Sequence, residues 1–379
     1  MNKNIQRVGL ISFAIGLGVG VGLVLLRKRR SSNDPQKIVN QKRINHALDR
    51  SLRRARQQAA IPLVPGHRYI IFSDQHKGAG DQADDFRISK ETYLKALEDY
   101  YQRGFTLVVL GDVEELWENR LPEVMNTYPD VFESEGRFYP DRYLRLLGNH
   151  DDAWYIETNV RQYLDHYFPG IQCYESLIFQ FQADPESSGE VFLANGHQGT
   201  LDADVFRFIP PLVLPLYRQI QNLTGWGRTS PSRDDCLRGA HDTLMYRWSA
   251  QQGKLIMIAG HTHRPVWSSR THLQKLTEEY NSLQERDPEL HLAESALQLA
   301  QLEAKIEKLE AKYPPCNDTI KTRPSYFNTG CCRYADGDIT GIELEDGELR
   351  LVKWGKVQGE IQRVEFERTP LDKIFANLA

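Results

Sequence analysis

"LIMIAGHTHRPV" (255–266) is the stretch that decides the fold. Five apolar residues are followed by a glycine, and then by His261 and His263, one residue apart. A short apolar run that stops at a glycine turn predicts a buried strand. Side chains two positions apart in an extended chain point the same way. We therefore expect both imidazoles on one face, where this strand ends.

Four other short apolar runs end in the same manner and also read as strands: 68–73, 106–111, 142–148 and 191–196. A helix is predicted over 88–104, between the first two, and strand–helix–strand order favours an α/β fold. Ligands of open α/β sheets gather at the carboxyl ends of the strands. The polar residues found at these ends are Asp74, His76, Asp112, Asn149, His150, Asp151 and His197.

Carboxylate, imidazole and amide side chains suit Mn, Fe, Zn or Mg ions, and none of these ends supplies a thiolate. A single histidine or Gly-Asp pair after a strand is usually an ordinary turn residue. Five such ends in order are difficult to explain as separate turns. The sequence therefore predicts a metal centre assembled from distant segments.

The series DxH, GD, GNHD, GH and GHTH, over residues 68–265, resembles the calcineurin-like metallophosphoesterase superfamily. "SYFNTGCC" and the hairpin that follows (325–354) resemble the closing strands of that family. "GDVEELW" and "GHTHRP" are nearest to its UDP-diacylglucosamine diphosphatase-like branch. The resemblance implies a four-layer α/β/β/α sandwich of two mixed sheets.

The resemblance also implies two divalent metal ions, with Mn²⁺ favoured and Fe, Zn or Mg as alternatives. One ion would be held by Asp74, His76, Asp112 and His263, and the other by Asp112, Asn149, His197 and His261. A hydroxide bridging the ions would attack phosphorus. His150 would protonate the leaving oxygen or stabilise the charge of the transition state, and Asp151 would orient His150 or, alternatively, cap a loop. Two departures, Glu114 for an apolar residue and His150 for arginine, leave the substrate of that branch open.

The N-terminal segment carries a different signal. Residues 8–26 are nineteen uncharged residues, enough for a transmembrane helix, with a cleaved signal peptide as the alternative. "RKRR" follows directly, and the positive-inside rule then predicts a single-pass protein of the cell membrane with a cytoplasmic catalytic domain.

Residues 27–58 hold eleven Lys or Arg against two Asp. This basic neck suits anionic headgroups, and no nucleic acid partner is expected because the rest of the chain is acidic.

Five cysteines, an odd number with no metal-type spacing, indicate a reducing compartment without a disulfide framework. The predicted organisation comprises a flank (1–7), the anchor (8–26), the basic neck (27–60), the metallophosphoesterase domain (61–271) with a candidate lid (201–250), a helical hairpin insertion (272–313), and closing strands with a tail (314–379). The alternative for 201–250 is core packing. The alternative roles of the hairpin are packing on the body and recruiting a partner.

The function predicted from these features is that of a membrane-anchored dimetal phosphoesterase acting on a phosphate ester or pyrophosphate bond. A lipid- or nucleotide-linked diphosphate at the bilayer surface is the substrate that the anchor favours. The alternatives are a phosphatase of phosphoproteins or soluble nucleotides, and a non-catalytic scaffold on the same fold. The oligomeric state is left open.

Overall fold

The computed structural model describes residues 40–184, 187–200, 235–286, 293–312 and 323–378, which all belong to one compact unit (Val39–Ala379). The described strands are β1 (Ile61–Leu63), β2 (Arg68–Phe72), β3 (Thr106–Leu110), β4 (Tyr143–Leu146), β5 (Cys173–Tyr174), β6 (Ser176–Phe181), β7 (Gly189–Ala194), β8 (Leu255–Ala259), β9 (Pro265–Trp267), β10 (Arg270–Thr271), β11 (Tyr326–Thr329), β12 (Ile339–Glu345), β13 (Glu348–Val357) and β14 (Glu360–Pro370). The described helices are α1 (Gln41–Gln57), α2 (Phe86–Gln102), α3 (Leu121–Thr127), α4 (Pro129–Gly136), α5 (Glu157–Asn159), α6 (Asp235–Ser249), α7 (His272–Arg286), α8 (Ala293–Lys312) and α9 (Leu371–Ala376).

The first of two seven-stranded sheets has the order β14-β13-β12-β2-β3-β4-β5. Strands β2 to β5 pair in parallel, and β12 to β14 pair antiparallel. The hairpin predicted within 325–354 is confirmed as β12 and β13. Its turn residues Asp346 and Gly347 have φ values of 52° and 74°. Two successive positive φ values are what a two-residue type I′ hairpin turn requires.

The second sheet has the order β1-β6-β7-β8-β11-β9-β10 and is also mixed. β8 lies between β7 and β11 and is parallel to both. Its five residues are all buried, as its continuous apolar sequence predicts. The prediction of an α/β fold with two mixed sheets is confirmed.

Alternation along β2 separates the two hydrophobic cores. Tyr69 and Ile71 pack between the sheets, together with residues of the second sheet such as Phe179 and Ile256. Ile70 and Phe72 face the other way, toward the helices that cover the first sheet, α2 to α4. A strand buried on both faces in this way belongs inside a layered α/β structure.

Helix α1 covers part of the second sheet, which corrects the prediction for the basic neck (27–60). Ile44, Leu48 and Leu52 are buried, and Ser51 Oγ donates to Ser176 Oγ on β6 at 2.8 Å. These residues recur every three or four positions, which is the spacing of an amphipathic helix. Residues 41–57 are therefore an integral part of the folded body, and the domain begins before residue 61.

Replacing Leu48 by alanine is expected to lower the free energy of unfolding by about 2–5 kcal/mol, because this side chain lies on the buried face of α1 and is fully buried. Arg53→Ala is the matched control on the exposed face of the same helix, with an expected change within about 0.5 kcal/mol. Urea unfolding of the full chain measures both. Equal effects from the two substitutions would mean that α1 is a loosely attached neck.

Helix α6 packs on the outer face of the second sheet, where Trp248 lies 5.7 Å from the ring of Phe192. Asp235–Ser249 thus belongs to a helical layer. The lid prediction for 201–250 is therefore corrected over this helix, and residues 201–234 lie outside the described residues.

Helices α7 and α8 occupy the predicted hairpin span and contact each other, and α7 also contacts β9 and β10.

The predicted anchor (8–26) lies outside the described residues. Among the helices that the structure describes, none has the length and apolar character needed to cross a membrane.

Candidate metal centre

The segments after β2 and β3 remain paired beyond the ends of the strands. The backbone N–H of Asp74 donates to Gly111 O at 3.1 Å, and that of His76 donates to Asp112 O at 2.9 Å. The two loops are therefore held side by side at the carboxyl edge of the first sheet. The residues after β8 meet them there, because His261 N donates to the Asp74 carboxylate at 2.9 Å.

The backbone at this edge is not extended. Five residues have positive φ between 48° and 66°, namely Asp74, His76, Asp112, His261 and His263. This left-handed region is sparsely used by residues other than glycine, and such strain concentrates at functional sites. The expectation that alternation in an extended chain aligns His261 with His263 is therefore corrected. The left-handed turns direct the two imidazoles toward different neighbours.

His263 joins Asp74 and His76 in a buried cluster, which we call the first ligand cluster. Nε2 of His263 lies 3.3 Å from Asp74 Oδ1 and 3.2 Å from His76 Nε2. Nε2 of His76 lies 3.8 Å from the same oxygen. Two imidazole nitrogens and one carboxylate oxygen directed at a common point match the donor set of a divalent transition metal.

His261 lies instead beside Asp112, with 3.5 Å between His261 Nδ1 and Asp112 Oδ2. The ring of His197 is farther away, with its centroid 6.5 Å from that of His261. Asp112 Oδ2 and Asn149 Oδ1 are buried and have no hydrogen-bond partner within the described part of the chain. Buried oxygens without a partner are costly in an apolar interior, and a divalent cation would satisfy both of them. We call Asp112, Asn149, His197 and His261 the second ligand cluster.

Two glycines permit the close approach of these loops. A Cβ on Gly148 would lie 2.1 Å from Asp112 Oδ1, and a Cβ on Gly260 would lie 2.3 Å from Asp74 Oδ2. Any side chain at either position would therefore displace a carboxylate of the site. The glycines that precede Asn149 and His261 are therefore needed for space.

The carboxylate bound to His150 is that of Glu115. Nδ1 of His150 donates to Glu115 Oε1 at 2.7 Å, and Nδ1 of His76 donates to Glu115 Oε2 at 2.8 Å. The ring of Trp117 stacks on His150 with centroids 4.0 Å apart. Glu115 thus fixes the orientation of a residue of the first ligand cluster and of His150 at the same time.

Burial favours the neutral form of Glu115, but the charges and hydrogen bonds of His150 and His76 dominate and hold its pKa well below the usual range. Glu115 is therefore a carboxylate at neutral pH and accepts a hydrogen bond from each ring. Both histidines then carry a proton on Nδ1, and Nε2 of His76 faces Asp74 and His263.

The expectation that Asp151 orients His150 is corrected. Asp151 Oδ1 accepts from Gly148 N at 2.6 Å, and Oδ2 accepts from Val113 N at 3.1 Å. Burial and the nearby charge of Asp112 raise the pKa of Asp151 to about 7. Its carboxyl group connects the loops after β3 and β4, which is the loop-capping alternative.

Glu114, which the sequence left open, lies in a buried ion network of four residues: Lys77, Glu114, Glu135 and Arg145. Glu114 is bound to Arg145 and lies 3.6 Å from Lys77 Nζ, which contacts Glu135 at 2.9 Å. Trp154 Nε1 donates to Glu114 at 2.8 Å. This network lies behind the site, and Glu114 therefore has a structural role.

Sequence reasoning did not find two other buried residues at the site. Asn195 Oδ1 accepts from His197 Nδ1 at 3.0 Å, and Asn195 Nδ2 donates to Leu110 O at 3.1 Å. His241 lies on α6, with its ring centroid 5.4 Å from that of His261. Asn195 stands two residues before a predicted ligand, which was a local signal. His241 is brought to the site only by the packing of α6.

No protein-family model matches the sequence, and no curated protein is significantly similar to it. Among solved structures, the chain is similar to vacuolar protein sorting 29 from Cryptosporidium parvum, with 10% identity and a TM-score of 0.32 over 81% of this chain and 100% of that one. It is also similar to a dimetal phosphatase from Danio rerio, with 11% identity and a TM-score of 0.35 over 80% of this chain and 100% of that one.

Proposed function

We propose that this chain is a dimetal phosphoesterase of the calcineurin-like metallophosphoesterase superfamily. The observation that carries the proposal is the convergence of Asp74, His76 and His263 at one buried point, with Asp112 and His261 in contact beside them. The proposed ligands are Asp74, His76, Asp112 and His263 for one ion, and Asp112, Asn149, His197 and His261 for the other.

Two bound divalent ions would supply the charge that offsets an anionic phosphate and would lower the pKa of water toward about 7. The protein contributes the geometry. Asp112 is shared by both ligand sets, and its Oδ1 is held by the His150 backbone N–H at 2.9 Å. This bond fixes the orientation of the Asp112 carboxylate before substrate binds.

His150 is the proposed acid for the leaving oxygen. Glu115 occupies its Nδ1, so the atom left for substrate is Nε2, and Trp117 restricts rotation of the ring. A proton on Nε2 is transferred to the departing oxygen as the bond to phosphorus breaks. This role requires only that the leaving group lie within hydrogen-bond distance of Nε2.

A lipid- or nucleotide-linked diphosphate at the cytoplasmic face of the cell membrane is the proposed substrate. The support comes from the uncharged run 8–26 and the cations that follow it, which favour a tethered enzyme. A tether raises the local concentration of a substrate in the same leaflet. Residues 41–57 are folded onto the body, so residues 27–40 are the part of the basic run left for the bilayer.

The experiment is a hydrolysis panel on the full chain with Mn²⁺, Zn²⁺ or Mg²⁺ added after removal of metal with a chelator. We expect negligible hydrolysis without metal and release of phosphate or a phosphorylated product when metal is restored. A lipid-linked diphosphate in mixed vesicles is compared with a soluble nucleotide diphosphate and a phosphopeptide.

Faster hydrolysis of the soluble esters, unchanged by vesicles, would assign the chain to the second class of phosphatase. Binding of metal without hydrolysis of any substrate would instead support a scaffold. Hydrolysis that persists at full rate in the chelator-treated protein would contradict the dimetal proposal itself.

A further inference from the structure

His241 is a fully buried histidine on α6 that the proposed reaction does not use. Its Nε2 donates to Gly196 O at 2.7 Å, next in sequence to His197. Its ring meets that of His261 edge-on, with an interplanar angle of 66°. His241 therefore contacts the loop of one residue of the second ligand cluster and the side chain of another.

When the N–H groups of the two rings are assigned, one hydrogen-bond donor and one acceptor remain without a partner. A neutral imidazole has a single N–H, and His241 uses it on Gly196, so its Nδ1 is an acceptor. The nitrogen that a metal-binding imidazole turns to its ion carries no proton, so a cation held beside Asp112 by His261 Nδ1, which lies 3.5 Å from Asp112 Oδ2, would place the N–H of His261 on Nε2. His241 Nδ1 and His261 Nε2 are both buried, and neither has a hydrogen-bond partner within the described residues.

A buried acceptor and a buried donor left unpaired are each costly, and the pairing that removes both costs is the one between them. We infer that His241 is a positioning residue for His261, accepting the Nε2–H of His261 on its Nδ1. The inference rests on the proposed function, because it concerns the second ligand cluster. The resulting chain runs from Gly196 O through His241 to His261, and it holds the Nδ1 of His261 toward Asp112.

The same arrangement is present on the other histidine of this cluster. Asn195 Oδ1 accepts from His197 Nδ1, which leaves the Nε2 atom of His197 for a cation. Metal-binding histidines generally donate their second N–H to such a partner, and loss of the partner lowers metal affinity by about 10–100-fold. His241 would be the corresponding partner of His261, recruited from a helix more than forty residues after Asn195.

The test compares His241→Leu, which removes the acceptor, with His241→Asn, whose side-chain oxygen can replace Nδ1. Mn²⁺ binding is titrated by electron paramagnetic resonance and calorimetry on the full chain. We expect His241→Leu to weaken the second of two bound ions by about 10–100-fold and to leave the first unchanged. His241→Asn should recover most of that affinity. His46→Leu, on the exposed face of α1, is the control.

Wild-type affinity for both ions in His241→Leu would overturn the inference. Equal weakening of both ions, or failure of His241→Asn to recover affinity, would show a general packing role and also overturn it. A wild-type chain that binds only one ion would do the same. A wild-type chain that binds two ions and hydrolyses nothing contradicts the proposed function alone, because the affinity comparison still decides the role of His241.

Discussion

Replacing Asp112 by alanine is expected to reduce kcat/KM for hydrolysis by about a thousandfold or more. Asp112 is the ligand proposed for both ions; its Oδ2 lies 3.5 Å from His261, and its Oδ1 accepts a hydrogen bond from the His150 backbone N–H. Two bound ions contribute several kcal/mol of charge stabilisation, and about 4 kcal/mol corresponds to a thousandfold change in rate. Steady-state hydrolysis with saturating Mn²⁺, together with metal analysis of the purified protein, measures the effect.

The matched control is Asp99→Ala, which removes a partly exposed carboxylate of α2 that pairs with Arg103, and it should leave both rate and metal content unchanged. Asp112→Asn retains the shape of the side chain and removes its charge, so it should bind less metal even if the loops keep their positions. An Asp112→Ala protein with two ions and more than a tenth of wild-type activity would show that Asp112 is not the shared ligand.

The five strand ends were predictable because each is a local signal. An apolar run, a glycine and a polar residue are adjacent in sequence, and β2, β3, β4, β7 and β8 fall within a few residues of the predicted runs. The prediction that alternation in an extended chain aligns His261 with His263 was wrong. The backbone at His261 and His263 is left-handed, and the N–H of His261 donates to Asp74 from a distant strand end; a local pattern of alternation reports neither feature.

The partner of His150 was not predictable from the sequence. Asp151 is its neighbour in the chain, but the carboxylate that reaches its ring belongs to Glu115, thirty-five residues earlier. The two are brought together by the parallel pairing of β3 with β4, and by the donation of Leu116 N to His150 O at 3.1 Å. Contacts of this kind depend on the register of a sheet, which local sequence does not specify.

Helix α1 was not predicted to be part of the folded body, for a different reason. Its net positive charge and its position after the apolar run 8–26 made a membrane neck the simpler interpretation. The body supplies carboxylates that bind part of this charge, since Arg54 pairs with Glu175 and Arg56 pairs with Glu190, both at 2.6 Å. Such exposed pairs contribute little stability, so burial of residues such as Leu48 is what holds the helix.

Replacing Arg145 by methionine is expected to lower the free energy of unfolding by about 3–5 kcal/mol. Arg145 is fully buried and is bound to Glu114. Its removal leaves the Glu114 carboxylate with Lys77 at 3.6 Å as its nearest cation, and Lys77 is already in contact with Glu135 at 2.9 Å. The large effect therefore arises from an anion left partly uncompensated in the interior.

The double substitution Arg145→Met with Glu114→Leu separates this cause from a loss of packing. Two charges of opposite sign are removed together, so no new unpaired charge remains, and the double variant should be more stable than Arg145→Met alone. Urea unfolding of the wild type, both single variants and the double variant gives the coupling free energy. Additive losses would mean that Arg145 acts through its volume and not through Glu114.

The ion network also connects stability with the site. Lys77 and Glu114 form a parallel bridge that continues the pairing of β2 with β3 past the strands, one residue beyond His76 and one residue before Glu115. The Arg145→Met variant should therefore lose metal affinity at the first ligand cluster even at low temperature, where it remains folded. The double variant should recover stability without full affinity, because the Lys77 side chain then lacks the Glu114 carboxylate, which lies 3.6 Å away in the wild type. Metal titration of the folded variants checks this, and wild-type affinity in Arg145→Met would show that the network supports the fold alone.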